Sequence, residues 1–130
     1  MLKNIIESSF DKELESVQRG KLLGEGTFGK VYEGLYNGSN AKLPHNLAIK
    51  VVQVKDRKFL KRLYHECELL KTLNHPNIVK YFGCVVDESK SEASIFMELM
   101  PHSLASSYRQ FGSLNENIIR RHTRQILSAL

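Results

Sequence analysis

Three glycines in close succession, Gly24, Gly26 and Gly29, with Val31 just behind them, constrain this chain more than any other feature. Glycine has no Cβ and reaches positive φ without strain, so such a turn can bring bare backbone N–H groups against a phosphate. Two well-known phosphate loops share parts of the pattern. Gly24 to Lys30 is spaced G-x-x-x-x-G-K, but Val31 stands where a P-loop needs a Ser or Thr hydroxyl for magnesium. A dinucleotide-binding fingerprint must, like a P-loop, open a helix whose N-terminus holds the phosphate. Here residues 17–23 read as a strand, and residues 30–36 alternate with β-branched and aromatic side chains, as a second strand does. The glycines therefore join two strands, and both helix-opening readings fail on context.

Beyond the polar stretch of Asn37, Gly38, Ser39 and Asn40, with Pro44 after it, residues 47–54 form an apolar strand interrupted by Lys50. An unpaired ammonium inside such a strand is costly, so Lys50 is either at an edge with its head in water or held for a reason. Residues 56–74 read as a helix with Phe59, Leu63, Cys67, Leu70 and Leu73 on one face. Glu66 has Leu63, Leu69 and Leu70 three and four residues away and borders that face, whereas Glu68 neighbours Tyr64, His65, Lys71 and Thr72 and should meet solvent. Glu66 is thus the natural partner of an inward Lys50; the alternative is a surface pair with Arg62 of little weight. Pro76 ends the helix. Strands over 78–86 and 93–100 flank a charged turn, and a short helix over 103–110 precedes a break at Gly112 and Ser113. Asn115 is placed to cap a last helix whose Ile119, His122, Ile126 and Leu130 expect a core. That face, and the lack of any C-cap, give the expectation of an interrupted domain.

At 130 residues the chain is long enough for one core of its own and too short for two comfortable domains. Hydrophobic residues at 42% and charged residues at 25% are those of an ordinary soluble globular protein. Lys and Arg exceed Asp and Glu by 19 to 14, but the cations are scattered and no nucleic-acid motif accompanies them. The one dense run, Lys55 to Arg62, keeps nucleic-acid binding only as a weak alternative. Cys67 and Cys84 make no disulfide framework, no C-x-x-C spacing suggests zinc, and His65-x-Cys67 is read as coincidence. Charges at Lys3, Glu7, Asp11 and Lys12 argue against a signal peptide, and no run has transmembrane length, so a cytoplasmic location is expected. Within residues 1–16, Leu2, Ile5, Ile6, Phe10 and Leu14 recur at roughly helical intervals, which suits a short docking helix or a linker equally.

Strand, glycine loop, strand, strand with lysine, helix with glutamate, hairpin, connector and helices: this order resembles the N-terminal part of a eukaryotic protein kinase catalytic domain. Gly24, Gly26, Gly29 and Val31 match the family's glycine-rich loop, Ala48-Ile49-Lys50 its lysine strand, and Glu66 its helix glutamate. His75 to Gly83, with Gly112 to Leu127, look most like the mitogen-activated protein kinase kinase kinases. The resemblance implies an α+β fold: a five-stranded antiparallel sheet with one packed helix, then a hinge and two helices of an incomplete helical lobe. It divides the chain into an extension (1–16), an N-lobe with hinge (17–101) and the start of a C-lobe (102–130). It further implies that Lys50 holds the α- and β-phosphates of ATP and pairs with Glu66 in the active state. Leu23, Val31 and Ala48 would roof the adenine, Met97 would be the gatekeeper, the backbone of Glu98 and Met100 would bond the adenine edge, and Phe28 would cover the phosphates.

Pro101-His102-Ser103-Leu104 is one residue shorter than the family's usual post-hinge run, so no ribose contact is assigned to Ser103. The aspartates are Asp11, Asp56 and Asp87, and none lies in a His-Arg-Asp or Asp-Phe-Gly motif. The family's proton acceptor and its magnesium ligands therefore lie outside these residues, and no metal site is expected within them. The implied function is transfer of the γ-phosphoryl of ATP to protein Ser or Thr, with a MAP kinase kinase as candidate substrate and magnesium acting only in the intact kinase. No membrane, nucleic-acid or obligate oligomeric partner is expected, and the 130 residues alone should be inactive. The alternative is a non-catalytic kinase-like module that binds another kinase or a scaffold.

Overall fold

A computed structural model describes residues 9–27 and 29–130, with side chains described from Lys12 onward. Leu2, Ile5, Ile6 and Phe28, and the side chain of Phe10, lie outside what is described. Five strands form one antiparallel sheet: β1 (Gln18–Gly26), β2 (Gly29–Leu35), β3 (Asn46–Gln53), β4 (Tyr81–Asp87) and β5 (Glu92–Glu98). The strand order is β1-β2-β3-β5-β4. The described helices are α1 (Ser9–Glu15), α2 (Arg57–Thr72), α3 (Leu104–Phe111) and α4 (Glu116–Ala129). This is the α+β architecture expected, with α1 in addition.

The chain divides into two compact units, residues 1–73 with 80–99, and residues 74–79 with 100–130. In the first, β3 is apolar on both faces because both are covered. Side chains alternate along a strand, so Leu47, Ile49 and Val51 point one way, into a core with Leu14, Tyr36, Leu43, Phe82 and Phe96. Ala48, Lys50 and Val52 point the other way, where Val52 packs with Cys67 of α2, Cys84 of β4 and Ala93 of β5. Lys50 is half-buried and sits on an inner strand paired on both sides, so the edge-strand reading does not hold.

The choice between docking helix and linker resolves at α1, which packs against β4 and puts Leu14 wholly inside the first core. One residue earlier, the Glu13 carboxylate accepts a 2.6 Å hydrogen bond from the hydroxyl of the fully buried Tyr36. That hydroxyl also accepts from the Asn40 N–H at 3.1 Å. Gly38 closes over it, since a Cβ there would lie 2.2 Å from the Tyr36 oxygen. The bond to Glu13, with burial, raises the phenol above its ordinary pKa.

Helix α2 starts where Asp56 accepts from the Phe59 N–H at 2.7 Å, an N-cap that satisfies a donor the helix cannot. Its buried side is centred on Leu60 and Cys67, with Phe59, Leu63 and Tyr64 half-buried. Leu70 and Leu73, expected on that face, are 40% and 49% exposed. The buried side is narrower than the apolar stripe, and it takes in Leu60 rather than Leu70. In the second unit, Ser103 and Ser106 form a reciprocal capping box at the start of α3, and Gly112 ends that helix at φ +74. Asn115 caps α4 as expected, accepting from the Ile118 N–H at 3.0 Å. His75 is tied to α4 within this unit through Ser128, 3.4 Å from its Nε2.

Candidate nucleotide site

The sheet register assembles the predicted residues. Across it from β1 to β4, Gly24, Val31, Lys50, Ile95 and Cys84 oppose one another in turn. The parallel row runs Glu33, Ala48, Met97, Tyr81. Directly opposed residues share a face, so Val31, Ala48, Lys50 and Met97 come together on the face that also carries α2. An ammonium is thus presented among small and apolar side chains, beside a strand-turn-strand hairpin of glycines. Such a surface suits a flat apolar ring attached to an anion.

The glycines differ in what they are for. Gly29 has φ +138, and a Cβ there would stand 2.2 Å from the Val51 carbonyl oxygen, so the fold itself demands glycine. Gly24 and Gly26 have nothing within 4 Å of an added Cβ. The space over them is open, which fits a phosphate approaching backbone N–H groups. Next to the hairpin tip is a cavity of about 350 Å³, lined by Gly26, Thr27, Gly29, Val52 and Phe59 among others. It takes in the tip but not Ala48, Lys50 or Met97.

Leu23 falls in the register shift between Leu22 and Gly24 and is 47% exposed. Glu98 has a role that sequence reasoning missed. Its N–H donates to the Lys80 carbonyl at 2.8 Å while its carboxylate accepts from the Lys80 N–H at 3.0 Å, so its side chain clamps the last pairing of β5. Any bond from this peptide to a ligand therefore falls to its carbonyl. The signal, an acidic residue ending a strand, is too common to single out. Met100 belongs to the second unit and is exposed. Glu66 is also exposed, as is Glu68, and takes no part in the ion pairs of the described residues: Arg19–Glu92, Lys30–Glu25, Lys71–Glu68 and Arg120–Glu116. Among the described residues, no group of three or more His, Cys, Asp or Glu could hold a metal ion, and no helix is long and apolar enough to cross a membrane.

The family described as protein kinase domain matches residues 17–130. Mitogen-activated protein kinase kinase kinase 3 of Homo sapiens is 40% identical over 119 residues, which are 87% of this chain and 18% of that protein. Mitogen-activated protein kinase kinase kinase 1b of Physcomitrium patens is 40% identical over 118 residues, 86% of this chain and 14% of that protein. Mitogen-activated protein kinase kinase kinase A of Dictyostelium discoideum is 36% identical over 118 residues, 87% and 12% respectively. The chain spans less than a fifth of the length of these relatives.

Proposed function

The chain belongs to the protein kinase domain family, and from that premise we propose that it is the ATP-binding part of an enzyme that phosphorylates Ser or Thr of a protein. The observation that carries this reading is the cross-sheet row, in which Lys50 lies between Val31 and Ile95 with Gly24 at the row's open end. ATP would supply the phosphoryl group and magnesium would neutralise its charge; the described residues offer no cluster of three or more metal-ligating side chains for that ion. This chain's part is binding and positioning. Val31, Ala48 and Leu23 cover the adenine, Met97 limits the depth of its pocket, and the backbone at Glu98 and Met100 bonds its edge. The backbone at Gly24 and Gly26, where no Cβ blocks the approach, and the Lys50 ammonium hold the phosphates, Phe28 covers them, and Glu66 pairs with Lys50 when α2 is drawn in.

The relatives' names support a place in a MAP kinase cascade, with a MAP kinase kinase as substrate; a cytoplasmic location is part of the same proposal. Residues 17–101 serve as N-lobe and hinge and 102–130 as the start of the second lobe. A titration with a fluorescent ATP analogue tests the site. The wild-type chain is expected to bind more weakly than about 1 μM, and Lys50→Met to weaken binding at least about tenfold. Equal binding by both would overturn the assignment of Lys50. With no residue to accept the substrate proton, the purified chain should transfer no phosphoryl group to a generic protein substrate; measurable transfer would overturn that part.

A further inference from the structure

The second core contains two thiols from different elements: Cys67, 2% exposed, on the inner side of α2, and Cys84, 6% exposed, on β4. Their neighbours in that core, Val52 and Ala93, are small, and α2 packs directly against β4. The Tyr81 hydroxyl is buried there without a hydrogen-bond partner of ordinary geometry and lies against Cys67. From this cluster we propose that Cys67 and Cys84 form a redox-sensitive dithiol, which a peroxide converts to a disulfide joining α2 to β4.

The chemistry balances. The Cys67 thiolate attacks one peroxide oxygen, the O–O bond breaks and water leaves, giving a sulfenic acid at Cys67. The Cys84 sulfur then attacks the Cys67 sulfur, an S–S bond forms, the S–O bond breaks and a second water carries away the oxygen and the protons. Two thiols are oxidised and one peroxide is reduced to two waters. Cys67 suits the attacking role, because its pKa is lowered to about 7, first by the hydrogen bond with Cys84, then by Tyr81 and the nearby Lys71, against burial and Glu66. Burial means that peroxide reaches the sulfurs when α2 lifts locally from the sheet, so oxidation reports that opening.

The position of the pair gives the staple a consequence. Cys84 ends the cross-sheet row that contains Lys50, and Cys67 follows Glu66 in α2. On the reading of Lys50 and Glu66 given above, the disulfide fixes the distance between the lysine's row and the glutamate's helical turn. The thiol chemistry itself needs no nucleotide, so its test stands or falls apart from that reading.

The test treats dilute folded chain with hydrogen peroxide, blocks remaining thiols with iodoacetamide and digests with trypsin. Expected is a peptide 63–71 joined to peptide 81–90, with loss of both alkylation sites, restored by dithiothreitol. Cys67→Ser and Cys84→Ser should each abolish the joined peptide, and circular dichroism checks their folding. Recovery of both cysteines alkylated after peroxide would overturn the proposal. So would oxidation of Cys67 to sulfinic acid without the joined peptide, or a disulfide found only between two chains.

Discussion

Gly24, Gly26 and Gly29 look alike in sequence but should respond differently to one added methyl group. Gly29→Ala meets the Val51 carbonyl and a strained φ, and is expected to lower stability by more than about 1 kcal/mol. Gly24→Ala and Gly26→Ala meet open space and should change stability by no more than about 1 kcal/mol, while weakening nucleotide binding. Thermal melts and the analogue titration separate the two effects. Tyr36 sets a second expectation. Because its folded pKa is raised, the neutral phenol stabilises the fold below the unfolded value of about 10, and this contribution is lost as pH rises through the higher folded value. Urea midpoints measured on both sides of about pH 10 should fall at the alkaline end for wild type and fall less for Tyr36→Phe. The Tyr36–Glu13 bond could not be read from the sequence, since it joins residues that only the docking of α1 brings together. The glycine pattern and the lone Lys50, by contrast, were legible, because each breaks a local rule that its neighbours obey.

At the level of elements, periodicity found the strands, α2 and the cap of α4, because alternation and capping are local physics. It misjudged how α2 lies. An apolar stripe gives the range of faces a helix can bury, whereas the chosen face depends on the partner surface, here β4 and β5 around Cys84 and Ala93. Cys67 was therefore enclosed while Leu70 and Leu73 were left out. The same reasoning hid the importance of α1, whose Leu14 is one apolar residue in an ambiguous segment. Leu14→Ala removes a fully buried side chain and should cost about 2–5 kcal/mol by chemical denaturation. Asn115→Ala removes the α4 cap and should cost about 1 kcal/mol, read as lost helical signal at lower temperature.

Taken whole, the molecule pairs a well-filled sheet unit with a second unit whose helices expose much apolar surface. Ile119, Ile126 and Leu127 of α4 are 50%, 52% and 65% exposed, and Tyr108 and Phe111 of α3 are 59% and 73%. Surface of this kind drives association. Sedimentation of the isolated chain should therefore depend on concentration, and Ile126→Glu with Leu127→Glu should reduce that dependence; a monomer unchanged by either substitution would contradict it.

The strand order also determines how long each part of the site stays closed to solvent. Lys50 lies on β3, flanked by β2 and β5, whereas the glycines begin on β1, an edge strand exposed along its whole length and interrupted by two register shifts. Amide hydrogens on such an edge exchange through small local openings, while those of an inner strand wait for a larger one. Deuterium uptake should thus be fast from Leu22 to Gly26 and slow from Ile49 to Val51. A nucleotide that seats beneath the hairpin would slow the first set and leave the second almost unchanged, because the lysine already sits on an inner strand paired on both sides.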